Sequence, residues 1–332
     1  MDFGPVQTEH ALGAILAHSV EVGGRRLRKG VVLEQSHIEQ LLAANLAEVT
    51  VARLGDDDVH EDDAALALAQ ALVPDAAAAN LRLGAVGTGR CNIFADAAGV
   101  AQIDAAAIDA LNAIHPMITV STVPKLHRMD AGGMVATVKI ISYGVPKSAL
   151  AQTEAAGRAA LSLATATANR VSYIETTLAA PATGKGADVI GARVAALGAA
   201  MEAPAFCPHE VAALSDALRR ATGDVILILT ASATSDTRDT APEALRQAGG
   251  TVTHFGMPVD PGNLLFLGDL DGTPVIGLPG CARSPALNGA DWVLERVICG
   301  IPVTGRDIMG MGVGGLLKEI PSRPQPRNPN RR

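Results

Sequence analysis

Residues 256–285 read GMPVDPGNLLFLGDLDGTPVIGLPGCARSP, six glycines and five prolines around two short apolar runs. The second run, Thr273–Leu278, has the length and bounds of a buried strand. It stops at Pro279-Gly280, and the polar segment Cys281-Ala282-Arg283-Ser284 leads into an expected helix. Ser284 reads as the N-cap of that helix and Pro285 as its first residue. A strand that ends in a glycine turn before a helix N-terminus aims backbone N–H groups and a positive dipole end at one point. Ligands of open α/β sheets gather at such strand ends. The stretch therefore predicts an α/β domain with an anion-binding end.

Working backwards from it, the chain alternates strand and helix from Arg170 onward. Strand Val171–Glu175 precedes an expected helix Asp188–Ala200. Helix Glu210–Ala221 and the strongly apolar strand Asp224–Thr230 follow, then helix Pro242–Ala248 and strand Thr251–Phe255. Apolar strands alternating with helices predict a mostly parallel sheet covered on both faces. Further upstream the pattern is α+β. In the first 60 residues a basic turn, Gly23 to Gly30, is followed by a helix Ser36–Ala44. Ser36 and Glu39 have the spacing of its capping box, and the strand Glu48–Ala52 closes the segment. A middle region, residues 61–167, carries an Ala-rich helix Asp62–Leu72, a Gly-rich passage Gly84–Arg90 and the clear strand Met134–Ile141. Residues 147–168 read as a helix connecting two domains. The expected division is thus 1–60, 61–167, 168–303 and 304–332, the last ending in a Pro- and Arg-rich tail read as disordered.

Three loops at expected strand ends hold the residues able to do chemistry. Thr176–Asp188 contains Gly184-Lys185-Gly186; glycines admit a phosphate and lysine supplies charge, but the P-loop spacing is absent. Thr230–Asp239 follows the most apolar strand and sets Asp236, Arg238 and Asp239 behind four hydroxyl residues. It reads either as a ligand or metal-water site, or as a loop whose two aspartates cap backbone amides while Arg238 is solvated. Thr240 to Glu243 has capping-box spacing for the next helix. The third loop couples Asp260-Pro261-Gly262-Asn263 with Gly280–Ser284, where Arg283 is suited to paired hydrogen bonds with phosphate. Cys281 has no histidine near it in sequence to activate it as a nucleophile. His209 and His254 read as structural. The acidic patch Asp56–Asp58 with Glu61–Asp63 reads as a solvated linker before a helix rather than a metal site.

Composition narrows the function. The 332 residues are 48% hydrophobic but only 2% aromatic, and the formal charge is −7. No domain-wide basic surface and few base-stacking side chains argue against nucleic-acid binding. The four cysteines, Cys91, Cys207, Cys281 and Cys299, form no CxxC pair, which fits a reducing compartment. No signal sequence opens the chain and no apolar run reaches membrane-spanning length, so a soluble cytoplasmic protein without a membrane partner is expected.

The three loops, in this order, resemble the molybdopterin-binding fold shared by gephyrin's E domain and the bacterial molybdopterin molybdotransferases. That family carries a TGG-V-S-x-GD-x-D type loop, which Thr230 to Asp239 echoes, best at Asp239. It also carries a Pro-Gly-Lys-Pro stretch and a strand ending Leu-Pro-Gly-Asn-Pro, similar to Pro261-Gly262-Asn263 and Gly277-Leu278-Pro279-Gly280. GMPVDPGN, GLPGCARSP and GMGVGGLL look like phrases of the molybdopterin-binding module found alone or fused ahead of a nucleotidyltransferase. The resemblance covers about residues 170–303, and residues 14–54 also resemble segments of the family's other domains. It implies a three-layer α/β/α domain preceded by smaller α+β domains, and a homodimer. It also implies molybdopterin or its nucleotide-activated form as ligand, with Mg2+ as a further cofactor. Carried over by position, Asp236 and Asp239 would be the catalytic acids, with Asp239 also on the metal. Lys185, Thr230, Ser232, Gly262, Asn263, Gly280, Arg283 and Ser284 would bind the cofactor, with Arg283, Lys185 and backbone amides on its phosphate.

The chain departs from the pattern in several places. Thr183-Gly184-Lys185-Gly186 stands where the family has Thr-Gly-Asp-Glu. Asp260 and Asn263 replace the lysines flanking Pro-Gly, and Cys281-Ala282 replaces Asn-Pro. Too few residues follow 303 for the family's C-terminal β-domain. These departures favour molybdopterin binding over molybdate insertion. The open alternatives are a molybdotransferase-like enzyme, a carrier serving a cytidylyltransferase or a target molybdoenzyme, and a nucleotide pyrophosphatase built on the same domain.

Overall fold

The computed structural model describes residues 1–178 and 184–317. The C-terminal tail and much of the Gly-Lys-Gly loop therefore lie outside the described residues. The chain is mixed α/β with several separate sheets, one of them mostly parallel, and it divides into two compact units.

The first unit holds Met1–Ala97 and Ala101–Leu163. Strands Asp2–Gln7, Glu48–Arg53 and Ile15–Leu16 form a small antiparallel sheet. Helix Gln35–Ala43 shares a core with this sheet through Ile38, Leu41, Leu16 and Val51. Its cap differs from expectation. Glu34, not Ser36, is the N-cap, and His37 accepts the Glu34 backbone N–H in a reciprocal box. Glu39 instead accepts from the side chain of Gln35, one turn back along the helix.

The unit also holds a four-stranded antiparallel sheet, with strands in the order Ile118–Thr122, Met134–Ile140, Arg90–Ala95 and Leu81–Leu83. Helix Glu61–Leu72 packs Leu68 and Leu72 into its core. The expected connecting helix 147–168 is shorter, ending at Gly157. Ala159 takes a positive φ, and the alternating Leu161–Ala164 segment becomes a strand with Leu161 and Leu163 buried. The period changes from helical to two at that turn. The acids of the patch find local partners. Asp58 pairs with the Met1 amine at 2.7 Å and Asp62 accepts the Gly89 N–H at 2.6 Å.

The second unit is built on one sheet. Its strands are β1 (Arg170–Thr177), β2 (Ala200–Met201), β3 (Ala205–Pro208), β4 (Val225–Leu229), β5 (Thr251–Phe255), β6 (Phe266–Leu270) and β7 (Thr273–Leu278). The path runs β2-β1-β4-β7-β6-β5, with β3 also beside β1. Pairs β1–β2, β1–β3, β1–β4 and β4–β7 are parallel, whereas β6 runs antiparallel to both β7 and β5. All five residues of β4 are buried, as expected of a central strand with both faces covered.

Side chains alternate between the faces. Ile174, Ile226 and Ile228 share a core with helix α2 (Val211–Arg220) and helix α3 (Thr240–Gln247). On the opposite face, helix α1 (Lys185–Ala195) brings Gly186 against Tyr173 and Leu229. Gly277 in β7 is fixed by packing, since a Cβ there would collide with the ring of Phe266.

The opening expectation about the last helix is corrected. Residues Gly280–Arg283 form a single 3-10 turn, and helix α4 spans Gly289–Ile298. Its N-cap is Asn288, in a capping box with Asp291, not Ser284. Asn288 Oδ1 accepts the Ala290 N–H and the Pro261 carbonyl accepts the Gly289 N–H at 2.8 Å. The first amides of α4 thus have protein partners, and the helix end is closed to an anion. Helix α1 likewise begins earlier than expected, at Lys185, and helix α3 is capped by Asp239 rather than Thr240.

Candidate functional site

Strands β1, β4 and β7 run parallel side by side, so their carboxyl ends lie along one edge, where ligands of such sheets collect. One peptide unit ties the three ends together. The carbonyl of Thr230 accepts from Arg283 Nη2 at 2.9 Å, and the N–H of Ala231 in the same unit donates to Thr176 Oγ1, also at 2.9 Å. The C=O and N–H of a trans peptide point in opposite directions. The unit therefore engages Arg283 from the loop after β7 on one side and Thr176 at the end of β1 on the other.

On the α1 face, Glu175 is the residue that sequence reading missed. It is 6% exposed at the end of a central strand. Tyr173, two residues earlier on the same face, donates its hydroxyl to Glu175 Oε2 at 2.7 Å. Burial and the Glu175 bond push the tyrosine hydroxyl far above the usual phenol range, which keeps it a donor. Arg283 Nη2 lies 3.4 Å from Glu175 Oε1. A Cβ on Gly186 would come within 2.7 Å of the Tyr173 hydroxyl and 2.9 Å of Glu175 Oε2, so glycine admits the α1 N-terminus to this pair. The signal in the sequence was Glu175, the one acid of its strand.

Arg283 is half-buried, with Nη2 committed to Glu175 and Thr230. Its Nη1 is 3.8 Å from the position a Cβ would take on exposed Gly280, with nothing else in that space. A cation held from behind by a carboxylate, with an open approach beside a glycine, suits a phosphate oxygen.

The second loop folds on itself. The Thr230 hydroxyl donates to the Ser232 carbonyl at 2.6 Å and lies 3.3 Å from that of Thr234. Ser232 is exposed. Asp236 Oδ1 accepts the Arg238 N–H, while Asp239 accepts the N–H groups of Ser235 and Thr240. Both carboxylates thus serve backbone amides. The Ser235 N–H chiefly, with Thr240 and nearby His209, holds the Asp239 carboxyl below its ordinary value. A depressed acid contributes stability present above the unfolded value of 3.8 and lost as pH falls through the folded one. In Asp239→Asn, which keeps a capping oxygen, the loss of urea stability below that pH is expected to shrink. The cost at neutral pH should stay under about 1 kcal/mol. An unaltered acid limb would show that the Asp239 charge is not coupled to folding.

The third loop is held by another residue absent from the sequence reading. Arg193 of α1 donates to the carbonyls of Ala282, Ser284 and Ala286 at 2.9, 2.7 and 3.0 Å, and its Nε pairs with Asp291. Ser284 Oγ accepts the Ala286 N–H. Gly262 is buried against Gly289, and the Asn263 side chain donates to the Met257 carbonyl. These two belong with the α4 N-terminus rather than with the Thr230–Ala231 peptide. The side chain of Lys185 lies outside what is described. Among the described residues, no group of three or more His, Cys, Asp or Glu side chains is placed to hold a metal ion. No described helix is long and apolar enough to cross a membrane.

Comparison with known proteins adds three findings. Residues 5–53 match a domain of unknown function, DUF8806. No curated relative matches the chain. Among solved structures, the molybdopterin biosynthesis MoeA protein from Pyrococcus horikosii is similar at 13% identity and a TM-score of 0.30, over 94% of this chain and 76% of that one. A molybdenum cofactor biosynthesis protein from Pyrococcus furiosus is similar at 10% identity and a TM-score of 0.24, over 93% of this chain and 65% of that one. Likeness at these scores says nothing of ligand, activity or residue roles.

Proposed function

We propose that this chain binds molybdopterin, or its nucleotide-activated form, at the carboxyl ends of β1, β4 and β7 and serves molybdenum cofactor biosynthesis. The supporting observation is the Thr230–Ala231 peptide, whose two polar groups join the three loops that motif resemblance selects. In this reading the second unit is a three-layer domain within residues 168–303, preceded by domains 1–60 and 61–167. Arg283 takes the phosphate of the ligand, and Glu175 holds the guanidinium in place. Asp236 and Asp239 shape the second loop through backbone amides, so the reading is one of binding rather than of metal-dependent turnover.

Protein purified without oxygen and then oxidised in acid is expected to release a fluorescent pterin in proportion to protein. Preparations from cells that make molybdopterin but yield no pterin would count against the proposal.

A further inference from the structure

On the α2 face of the same strand ends stands a second polar pair, to which the sequence gives no role. His209 follows β3 directly, and its N–H bonds to the Thr177 carbonyl at 3.0 Å, so the ring is anchored beside the end of β1. Its Nδ1 lies 2.9 Å from Thr176 Oγ1. Thr176 is 1% exposed, and its oxygen already accepts the Ala231 N–H.

A hydroxyl has one proton to give. If Nδ1 carried a proton and donated it to Thr176, the buried hydroxyl proton would need another acceptor, and among the described residues none is in reach. Buried donors are rarely left unpaired. The hydroxyl therefore donates to Nδ1, and neutral His209 carries its proton on Nε2. That Nε2–H has no partner among the described residues, and the ring is half-exposed. Through Thr176, which also accepts the N–H of Ala231, the ring stands beside the start of the second loop.

We propose that His209 contacts the ligand of this site directly, as an imidazole fixed in the Nε2–H tautomer by Thr176 and offering that hydrogen to a phosphate oxygen. Thr176 is then a positioning residue. It reads the Thr230–Ala231 peptide on one side and sets the direction of the His209 donor on the other. The inference rests on the anion-binding reading of the strand ends given above.

The test is nitrogen-15 NMR of the imidazole, combined with anaerobic molybdopterin titration. The wild type is expected to show an unprotonated Nδ1 and a protonated Nε2 at neutral pH, and Thr176→Val a mixture of tautomers. On titration the Nε2 signal should move. His209→Ala should bind about tenfold more weakly, and His209→Gln, which restores an N–H donor, should recover most of that loss. A wild type already in the Nδ1–H form, or His209→Ala binding as tightly as wild type, overturns the inference while leaving the molybdopterin reading intact. A wild type that binds no molybdopterin overturns that reading instead. The spectra recorded with inorganic phosphate then decide the inference, which fails if the Nε2 signal stays still.

Discussion

Arg193→Met is expected to lower stability by about 3–5 kcal/mol, the cost of leaving one partner of a buried ion pair uncompensated. The side chains of Arg193 and Asp291 are 14% and 11% exposed, so water does little to screen either charge. The guanidinium also satisfies the carbonyls of Ala282, Ser284 and Ala286, which lie in the turn between β7 and α4. Asp291 in turn accepts the Asn288 N–H in the α4 capping box. One side chain thus holds the third loop and, through Asp291, the start of α4. Denaturant unfolding of the single variants and of Arg193→Met with Asp291→Asn should reveal a coupling above about 1 kcal/mol. Additive effects, or a single-variant cost under about 1 kcal/mol, would mean the loop holds its shape without Arg193.

The second large effect concerns the ligand. Arg283→Ala should weaken molybdopterin binding about ten- to hundred-fold, equal to about 1.5–3 kcal/mol for a charge-assisted hydrogen bond. The substitution also removes the cation beside Glu175, which accepts in addition from the Tyr173 hydroxyl. Stability is therefore measured in parallel, and affinity compared where the variant is fully folded. Unchanged affinity in a folded variant would remove Arg283 from the site.

Much of the second unit was legible because its central strand, Val225–Leu229, is an uninterrupted apolar run and other strands are short, β-rich stretches of the right length. Strands Thr251–Phe255 and Thr273–Leu278 have the bounds that Gly and Pro punctuation gives them. The start of α4 was not legible, since Ser284-Pro285 has the chemistry of a helix opening. Tertiary bonds from Arg193 and Pro261 instead move the cap to Asn288. Local capping rules see only residues close in sequence, and Arg193 is 91 residues from Ser284.

The same limit explains the site. Arg283 was visible as a charge in a glycine loop, but Glu175 and His209 gain meaning only when β3, β1, β4 and β7 are set side by side. Asp236 and Asp239 show the opposite case. Their spacing suits a metal-water site and backbone capping equally well, and the bonds to Arg238, Ser235 and Thr240 use both carboxylates for capping.

The most direct test of the central claim is anaerobic titration of the wild-type chain with molybdopterin, followed by calorimetry or pterin absorbance. The account predicts saturable binding of one ligand per chain in the micromolar range or tighter, about −8 kcal/mol or more favourable. Absence of saturable binding to folded protein, or binding that Arg283→Ala and His209→Ala both leave unchanged, would contradict it.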